Sequence, residues 1–109
     1  DHLRNHGFLY SGLPGWRLSP AYDMNPVPID VKPKFLSTAI DLDNTSASLD
    51  LAMEVTNYFD LDLSQATHIK AEVQKSVKSW VHEAQQLGIK PAEINRMASA
   101  FMIEDPRAP

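Results

Sequence analysis

The sequence predicts a mainly helical fold that begins with a small β-hairpin and an irregular loop. Three observations support this prediction. Two short apolar stretches flank a turn rich in glycine and proline within residues 7–19. Four prolines then interrupt residues 20–34 and exclude a helix there. From residue 45 onward, apolar residues recur at steps of three and four, which is the spacing of an amphipathic helix.

The predicted hairpin lies in the segment GFLYSGLPGWRLS. Phe8–Tyr10 are expected to form one short strand and Trp16–Leu18 the other. We expect Trp16 to pack the hairpin against the helices that follow. Beyond the proline-rich loop, residues 35–40 are predicted to form a turn or a brief strand.

The first of three predicted helices begins at a cap formed by Thr45 or Ser46, because these hydroxyls can accept a bond from the first helical turn. Its apolar face extends to Tyr58 and Phe59. Both aromatic residues are expected to pack between the first helix and the second.

The second predicted helix is the longest, beginning at the cap residue Ser64 and ending at Gly88. An apolar stripe around Trp80 follows its length, and such a stripe is core more often than a docking surface. The third helix has Pro91 in its first turn, where proline is tolerated, and its apolar face ends at Phe101.

Charge is spread unevenly along the chain, whose net charge is −4. Residues 35–63 hold six acidic residues and no basic residue. A protein that binds a phosphate backbone shows the opposite sign, so direct nucleic-acid binding is disfavoured. The acidic stretch is most simply a solvated face. The alternative is a non-catalytic helical interaction module that docks a basic partner on this face.

Several other classes of protein are disfavoured by composition. The chain has no cysteine, so it forms neither a disulfide framework nor a thiolate zinc site. No apolar run has the length of a membrane span and no signal peptide opens the chain, so we expect a cytoplasmic protein without membrane contact.

Two rival kinds of active site lack their signatures. The segment HLRNH spaces His2 and His6 by four, but no glutamate follows the first histidine as in metalloproteases. His68 and His82 fall in a separate helix, so nothing unites the four histidines around zinc. None of the serines lies in a G-x-S-x-G turn, which disfavours a serine hydrolase.

Asn5 and Asp23 are the residues whose placement suggests chemistry. They lie 18 positions apart, on loops at the same end of the predicted hairpin, and can therefore converge on one point. Amide and carboxylate oxygens are hard donors of the kind that Mg²⁺ prefers, and Mg²⁺ commonly takes one or two such groups together with phosphate oxygens. Asn and Asp are also common turn residues, so the spacing alone leaves both interpretations open.

Two motifs carry a resemblance to a known family. The opening DHLRNHGF contains the pattern His-x-Lys/Arg-Asn before a strand, and GWRLSPAYDMNP contains Ala-Tyr-Asp at residues 21–23. Together they resemble the catalytic loop and the DFG counterpart of HipA-type serine/threonine protein kinases. The resemblance extends over the whole chain and is specific at residues 2–6 and 16–26. The parts that it implies are a catalytic-loop remnant, hairpin and metal-binding loop (1–34), a helical portion of the C-terminal lobe (35–104) and a tail (105–109).

The resemblance also implies roles for individual residues. Asn5 and Asp23 would be the Mg²⁺ ligands. The expected nucleotide-binding residues are these two with four neighbours: His2, Leu3, Arg4 and Tyr22. The family's catalytic base is an Asp five positions before the Asn, whereas Asp1 lies four before it. The base is therefore expected just upstream of Asp1, with no catalytic residue in this chain.

A longer parent protein is implied by the same resemblance. That parent would use Mg²⁺ and ATP to phosphorylate Ser or Thr on a protein substrate. The chain has no glycine-rich phosphate loop, so an N-terminal kinase portion would have to supply the phosphate clamp. We therefore expect this chain to be inactive alone and to hold no tightly bound cofactor. Family members commonly act as toxins held by a small DNA-binding antitoxin, which makes such a protein a candidate partner.

Overall fold

The computed structural model describes residues 3–102, with Leu3 described by its backbone alone. In this part of the chain the predicted fold class, mainly helical with an N-terminal hairpin, is confirmed. The strands are β1 (Phe8–Tyr10) and β2 (Trp16–Leu18), and the helices are α1 (Leu49–Glu54), α2 (Leu63–Lys78), α3 (Trp80–Gln86) and α4 (Pro91–Met97). Short 3-10 turns cover Leu3–Asn5, Thr56–Phe59 and Ala98–Phe101. None of the helices in residues 3–102 has the length and apolar character needed to cross a membrane. The predicted tail, 105–109, lies outside the described residues.

The hairpin has the predicted strand bounds and an antiparallel register that pairs Phe8 with Leu18 and Tyr10 with Trp16. Alternate residues of a strand share a face, so these four large apolar side chains lie on one face of the ribbon. The Trp16 ring contacts the Tyr10 ring, with centroids 5.4 Å apart. Trp16 is nevertheless 70% exposed. The prediction that it packs the hairpin against the helices is therefore wrong.

The connection between the hairpin and α1 is irregular, as its prolines require. It contains a turn in which the amides of Val31 and Lys32 both donate to the Pro28 carbonyl. The predicted turn or brief strand at residues 35–40 is a single antiparallel bridge between Phe35 and Ser46.

The N-terminal caps of α1 and α2 differ from those predicted. Ser48 caps α1 by accepting from the Leu51 amide, so neither Thr45 nor Ser46 does. Asp62 caps α2 by accepting from the Gln65 amide at 2.8 Å, and the Gln65 side chain accepts from the Asp62 amide at 2.9 Å. This reciprocal pair satisfies two amides at once, which explains why α2 begins before Ser64.

The predicted second helix is divided into α2 and α3 at Ser79. The Ser79 hydroxyl donates to the Ser76 carbonyl at 2.8 Å and its amide donates to the same carbonyl. A serine side chain that competes for backbone acceptors in this way interrupts a regular helix. The predicted end of the helix is confirmed at Gly88, which has φ +74°. Pro91 is the first residue of α4, as predicted.

The core of the described chain is small. Its buried apolar residues lie in the loop after the hairpin, in or directly after α1, and in each of the later helices: Pro28, Leu51, Val55, Ala66, Ala84 and Ile94. Trp80 is half-buried and stacks on Phe101, with ring centroids 4.2 Å apart and planes 6° apart. This contact fixes α3 against the turn that follows α4.

Tyr58 and Phe59 do not pack between α1 and α2, because they are 78% and 68% exposed. The chain leaves α-helical geometry after Glu54 and continues as a 3-10 turn, which advances more degrees per residue and rotates both rings off the α1 face. The radius of gyration is 16.2 Å, whereas a compact domain of this length has about 13 Å. The chain is therefore open, with much apolar surface on its outside.

The α2 cap gives a direct test of these helix boundaries. Asp62→Ala removes the side-chain acceptor and is expected to lower the free energy of unfolding by about 1 kcal/mol. Ser64→Ala is the matched control, because the hydroxyl that it removes does not cap the helix. Urea denaturation followed by circular dichroism measures both. A larger loss for Ser64→Ala than for Asp62→Ala would contradict the observed boundary.

Candidate metal and nucleotide site

The candidate site lies at the open end of the hairpin, where two contacts hold the flanking segments together. The Ser19 amide donates to the Gly7 carbonyl at 2.8 Å. Further from the strands, the Tyr22 hydroxyl donates to the Arg4 carbonyl at 2.7 Å. Asn5 directly follows Arg4, and Asp23 directly follows Tyr22. Each predicted metal ligand is thus the next residue in the sequence after one partner of this hydrogen bond.

Asp23 has a backbone conformation that few residue types adopt. Its φ of +56° lies in the left-handed region, which Asp and Asn tolerate better than other non-glycine residues. The Asn25 side-chain amide donates to Asp23 Oδ1 at 2.8 Å and orients the carboxylate. A carboxylate offers about four acceptor positions, so one hydrogen bond leaves capacity for a cation. Strained residues of this kind are frequent at functional sites.

Asn5 ends the 3-10 turn Leu3–Asn5 and is partly buried. Its side chain carries one carbonyl oxygen, which is a ligand type that Mg²⁺ accepts. The donor set on the two sides of the hairpin is therefore one carboxylate and one amide oxygen. This set suits a hard divalent cation that completes its shell with phosphate oxygens and water.

The other predicted nucleotide-binding residues are placed as follows. Arg4 is exposed, and its carbonyl accepts the hydrogen bond from Tyr22. Tyr22 therefore has a structural task that the sequence did not indicate, since its hydroxyl joins the two segments. His2 and the side chain of Leu3 lie outside the described residues, so their predicted roles stay predictions.

Other metal sites find no support in the described chain. Within residues 3–102, no group of three or more His, Cys, Asp or Glu side chains is arranged to hold a metal ion. That result leaves the Asn5–Asp23 pair open, because that pair contains one amide and one carboxylate.

Arg96 and Asp30 form an interaction that sequence reasoning missed. Two guanidinium nitrogens of Arg96 donate to the two carboxylate oxygens of Asp30, at 2.9 and 3.0 Å. The hydrogen bond from Arg96 lowers the pKa of the Asp30 carboxyl below its ordinary value, and the same bond raises the pKa of Arg96. Asp30 is thus ionised at neutral pH. The partners are 66 residues apart, and no local pattern pairs them.

The acidic stretch of residues 35–63 is partly used for local structure. Asp41 accepts from the amides of Asp43 and Asn44, and Asp62 caps α2. Asp50 lies 3.5 Å from the ammonium group of Lys70. Half of the six acidic side chains therefore have partners within the chain. Of these three, Asp50 alone faces a cation of the described chain, and the amide hydrogen bonds of Asp41 and Asp62 leave their negative charges in place.

Comparison with known protein families shows which family this chain belongs to. The sequence profile described as the HipA-like C-terminal domain matches residues 1–104. The chain belongs to the HipA-like C-terminal domain family. The same comparisons found no matching curated protein and no matching solved structure. The match covers the hairpin, the loop with Asp23 and the four α-helices found in residues 3–102.

The hydrogen bond between Tyr22 and Arg4 can be tested with a matched pair of variants. Tyr22→Phe removes the hydroxyl, and is expected to cost about 1 kcal/mol of stability and to shift the amide resonances of Asn5 and Asp23. Tyr58→Phe removes a hydroxyl from a ring that is 78% exposed and is expected to change little. Urea denaturation and amide NMR spectra measure the two effects. Equal behaviour of the variants would show that the Tyr22 hydroxyl does not hold the segments together.

Proposed function

We propose that this HipA-like C-terminal domain is the magnesium-binding part of a serine/threonine protein kinase. The kinase would transfer the γ-phosphoryl group of ATP to a hydroxyl of a protein substrate. The observation that carries the proposal is the hydrogen bond from the Tyr22 hydroxyl to the Arg4 carbonyl, because it brings the segments of Asn5 and Asp23 together. Family membership over residues 1–104 supports the same assignment.

The roles of the two ligands follow from their chemistry. The Asp23 carboxylate, oriented by Asn25, would bind Mg²⁺ directly, and the Asn5 amide oxygen would bind it from the other segment. Mg²⁺ bridges phosphate oxygens in kinases and neutralises charge that develops during phosphoryl transfer. Arg4, with His2 and Leu3, would lie beside the nucleotide phosphates, and Tyr22 would contact the nucleotide from the metal-binding side. Positioning and electrostatic stabilisation provide most of the catalysis in this reaction class, so the exact placement of the loops matters.

This domain lacks two parts that the reaction needs. The general base would be an Asp immediately before Asp1, and the phosphate clamp would belong to an N-terminal kinase portion. The 109-residue chain alone is therefore expected to show no kinase turnover. A cytoplasmic kinase with a DNA-binding antitoxin as its partner is part of the proposal, since family members commonly work in such pairs. In that arrangement the link to DNA runs through the partner and requires no basic surface on this domain.

The proposal is tested in the intact kinase with Asp23→Asn. This change removes the charge of the ligand but keeps a side chain that can accept from Asn25 and that tolerates positive φ. The ratio kcat/KM for Mg²⁺-ATP is expected to fall by about a hundredfold or more, as when one electrostatic group of an active site is lost. Asn5→Ala is expected to have an effect of the same order.

Asp60→Asn is the matched control for this experiment. Asp60 has φ +54°, so the same chemical change is made in the same backbone conformation, within the helical portion of the chain. Its kinetics are expected to equal those of the wild type. Equal turnover in the wild type, Asp23→Asn and Asn5→Ala would contradict the proposed metal site. An encoded residue other than Asp immediately before Asp1 would contradict the kinase proposal, because the family's catalytic base would then be missing.

A further inference from the structure

The loop that carries Asp23 depends on outside contacts for its position. Residues 20–33 contain no helix and no strand, so no backbone ladder fixes them. Towards the hairpin, the loop is held by the Tyr22 hydroxyl at Arg4. A loop anchored at one end only would leave Asp23 free to sample many positions, because an unconstrained backbone has large conformational entropy.

Contacts with the last helix and the turn after it supply a second anchor. The guanidinium group of Arg96 in α4 binds both carboxylate oxygens of Asp30. One turn further, the Ser99 hydroxyl accepts a hydrogen bond from the Ile29 amide at 3.2 Å. Beyond these contacts, the Lys34 ammonium group donates to the Met102 carbonyl. We call the contacts made by Arg96 and Ser99 the α4 clasp.

Apolar packing brings the same loop against the helices. Pro28 is buried and directly precedes Ile29 and Asp30, the two loop residues that the α4 clasp holds. Pro26 lies against an apolar groove of about 530 Å³, which is also lined by Trp80, Ile94 and Met97. Pro26 lies three positions after Asp23, so the backbone between the proposed metal ligand and this contact is short. The packing of Pro26 therefore acts close to Asp23, and the clasp holds Ile29 and Asp30 further along the same loop.

We propose that Arg96 and Ser99 are positioning residues, which fix the Asp23 loop through the α4 clasp and so set the geometry of the metal site. This inference rests on the proposed function, and it adds a coupling between the last helix and the site. Arg96 and Ser99 would touch neither metal nor nucleotide. A bidentate arginine–carboxylate pair suits this task because it fixes orientation as well as distance.

The solvent exposure of Arg96 and Asp30 determines how strongly the clasp is expected to affect the metal site. The side chains of Arg96 and Asp30 are 52% and 64% exposed, so solvent screens their attraction. Removing such a pair commonly changes an equilibrium about twofold to fivefold. The clasp is therefore expected to tune the affinity of the site for a divalent cation, and a global loss of folding is not expected.

The experiment uses the ¹⁵N-labelled 109-residue chain, with Mn²⁺ as a paramagnetic probe. Titration with Mn²⁺ is expected to broaden the amide resonances of Asn5 and Asp23. Arg96→Ala is expected to weaken this binding about twofold to fivefold. It is also expected to speed hydrogen exchange at Ile29 and to shift the side-chain amide resonance of Asn25, which bonds Asp23 in the absence of metal.

Two further variants separate positioning from general destabilisation. Lys70→Ala breaks an ion pair with the exposed Asp50 between α1 and α2, and is expected to leave Mn²⁺ affinity and the Asn25 resonance unchanged. The double exchange Asp30→Arg with Arg96→Asp restores the pair in reverse and is expected to recover both readouts. Ser99→Ala removes the second clasp contact without changing charge, and circular dichroism verifies the helical content of each variant.

The possible results are distinct. Weaker Mn²⁺ binding and a shifted Asn25 resonance in Arg96→Ala, both recovered by the exchange, support the clasp. Unchanged exchange at Ile29 and an unchanged Asn25 resonance in both Arg96→Ala and Ser99→Ala overturn it. If Mn²⁺ does not broaden Asn5 and Asp23 in the wild type, the proposed metal site fails. Hydrogen exchange at Ile29 and the Asn25 resonance, both measured without metal, then still decide whether α4 holds the loop.

Discussion

The hydrogen bond from the Tyr22 hydroxyl to the Arg4 carbonyl constrains the candidate site more than any other contact in the described chain, because it joins segments 18 residues apart. The hairpin between them has strands of three residues each, and an isolated hairpin of this size is marginally stable in water. The last backbone hydrogen bond of the hairpin joins Ser19 and Gly7, and the Tyr22 hydroxyl holds the two segments together beyond it. As a result, an amide side chain and a carboxylate are held on neighbouring stretches of irregular backbone.

The site is thereby built on loops that are anchored at few points. The hairpin anchors one side of the Asp23 loop, and the helical portion anchors the other through Asp30 and Ile29. In the proposed site, this division would allow helices with only a small core to influence chemistry that they do not perform. A helix can orient a loop by two polar contacts and a proline packed against its side, and it need not contribute a ligand. The open shape of the chain, with its exposed hairpin face, is consistent with a domain that completes its site together with other polypeptide.

The sequence predicts correctly those strand and helix boundaries that depend on residues close together in the chain. The hairpin bounds, the stop at Gly88 and the start at Pro91 agree with the structure, since glycine and proline restrict the backbone wherever they occur. The cap of α2 was misplaced because Ser64 was considered alone, whereas Asp62 gains from the glutamine three positions later. The spacing of apolar residues identifies apolar faces but does not show whether another element packs on them. The burial predicted for Trp16, Tyr58 and Phe59 was therefore wrong. The motifs indicate Asn5 and Asp23 as candidate ligands, whereas the pairing of Asp30 with Arg96 is a product of tertiary structure.

A crystal structure of the chain grown with Mn²⁺ tests the shared-cation claim most directly, because the anomalous signal locates the metal without reference to activity. The account predicts an anomalous peak between the two segments, with one oxygen of Asn5 and one of Asp23 each about 2.1 Å from it. Side chains that point away from each other, with Mn²⁺ absent or bound at other residues, would contradict the account.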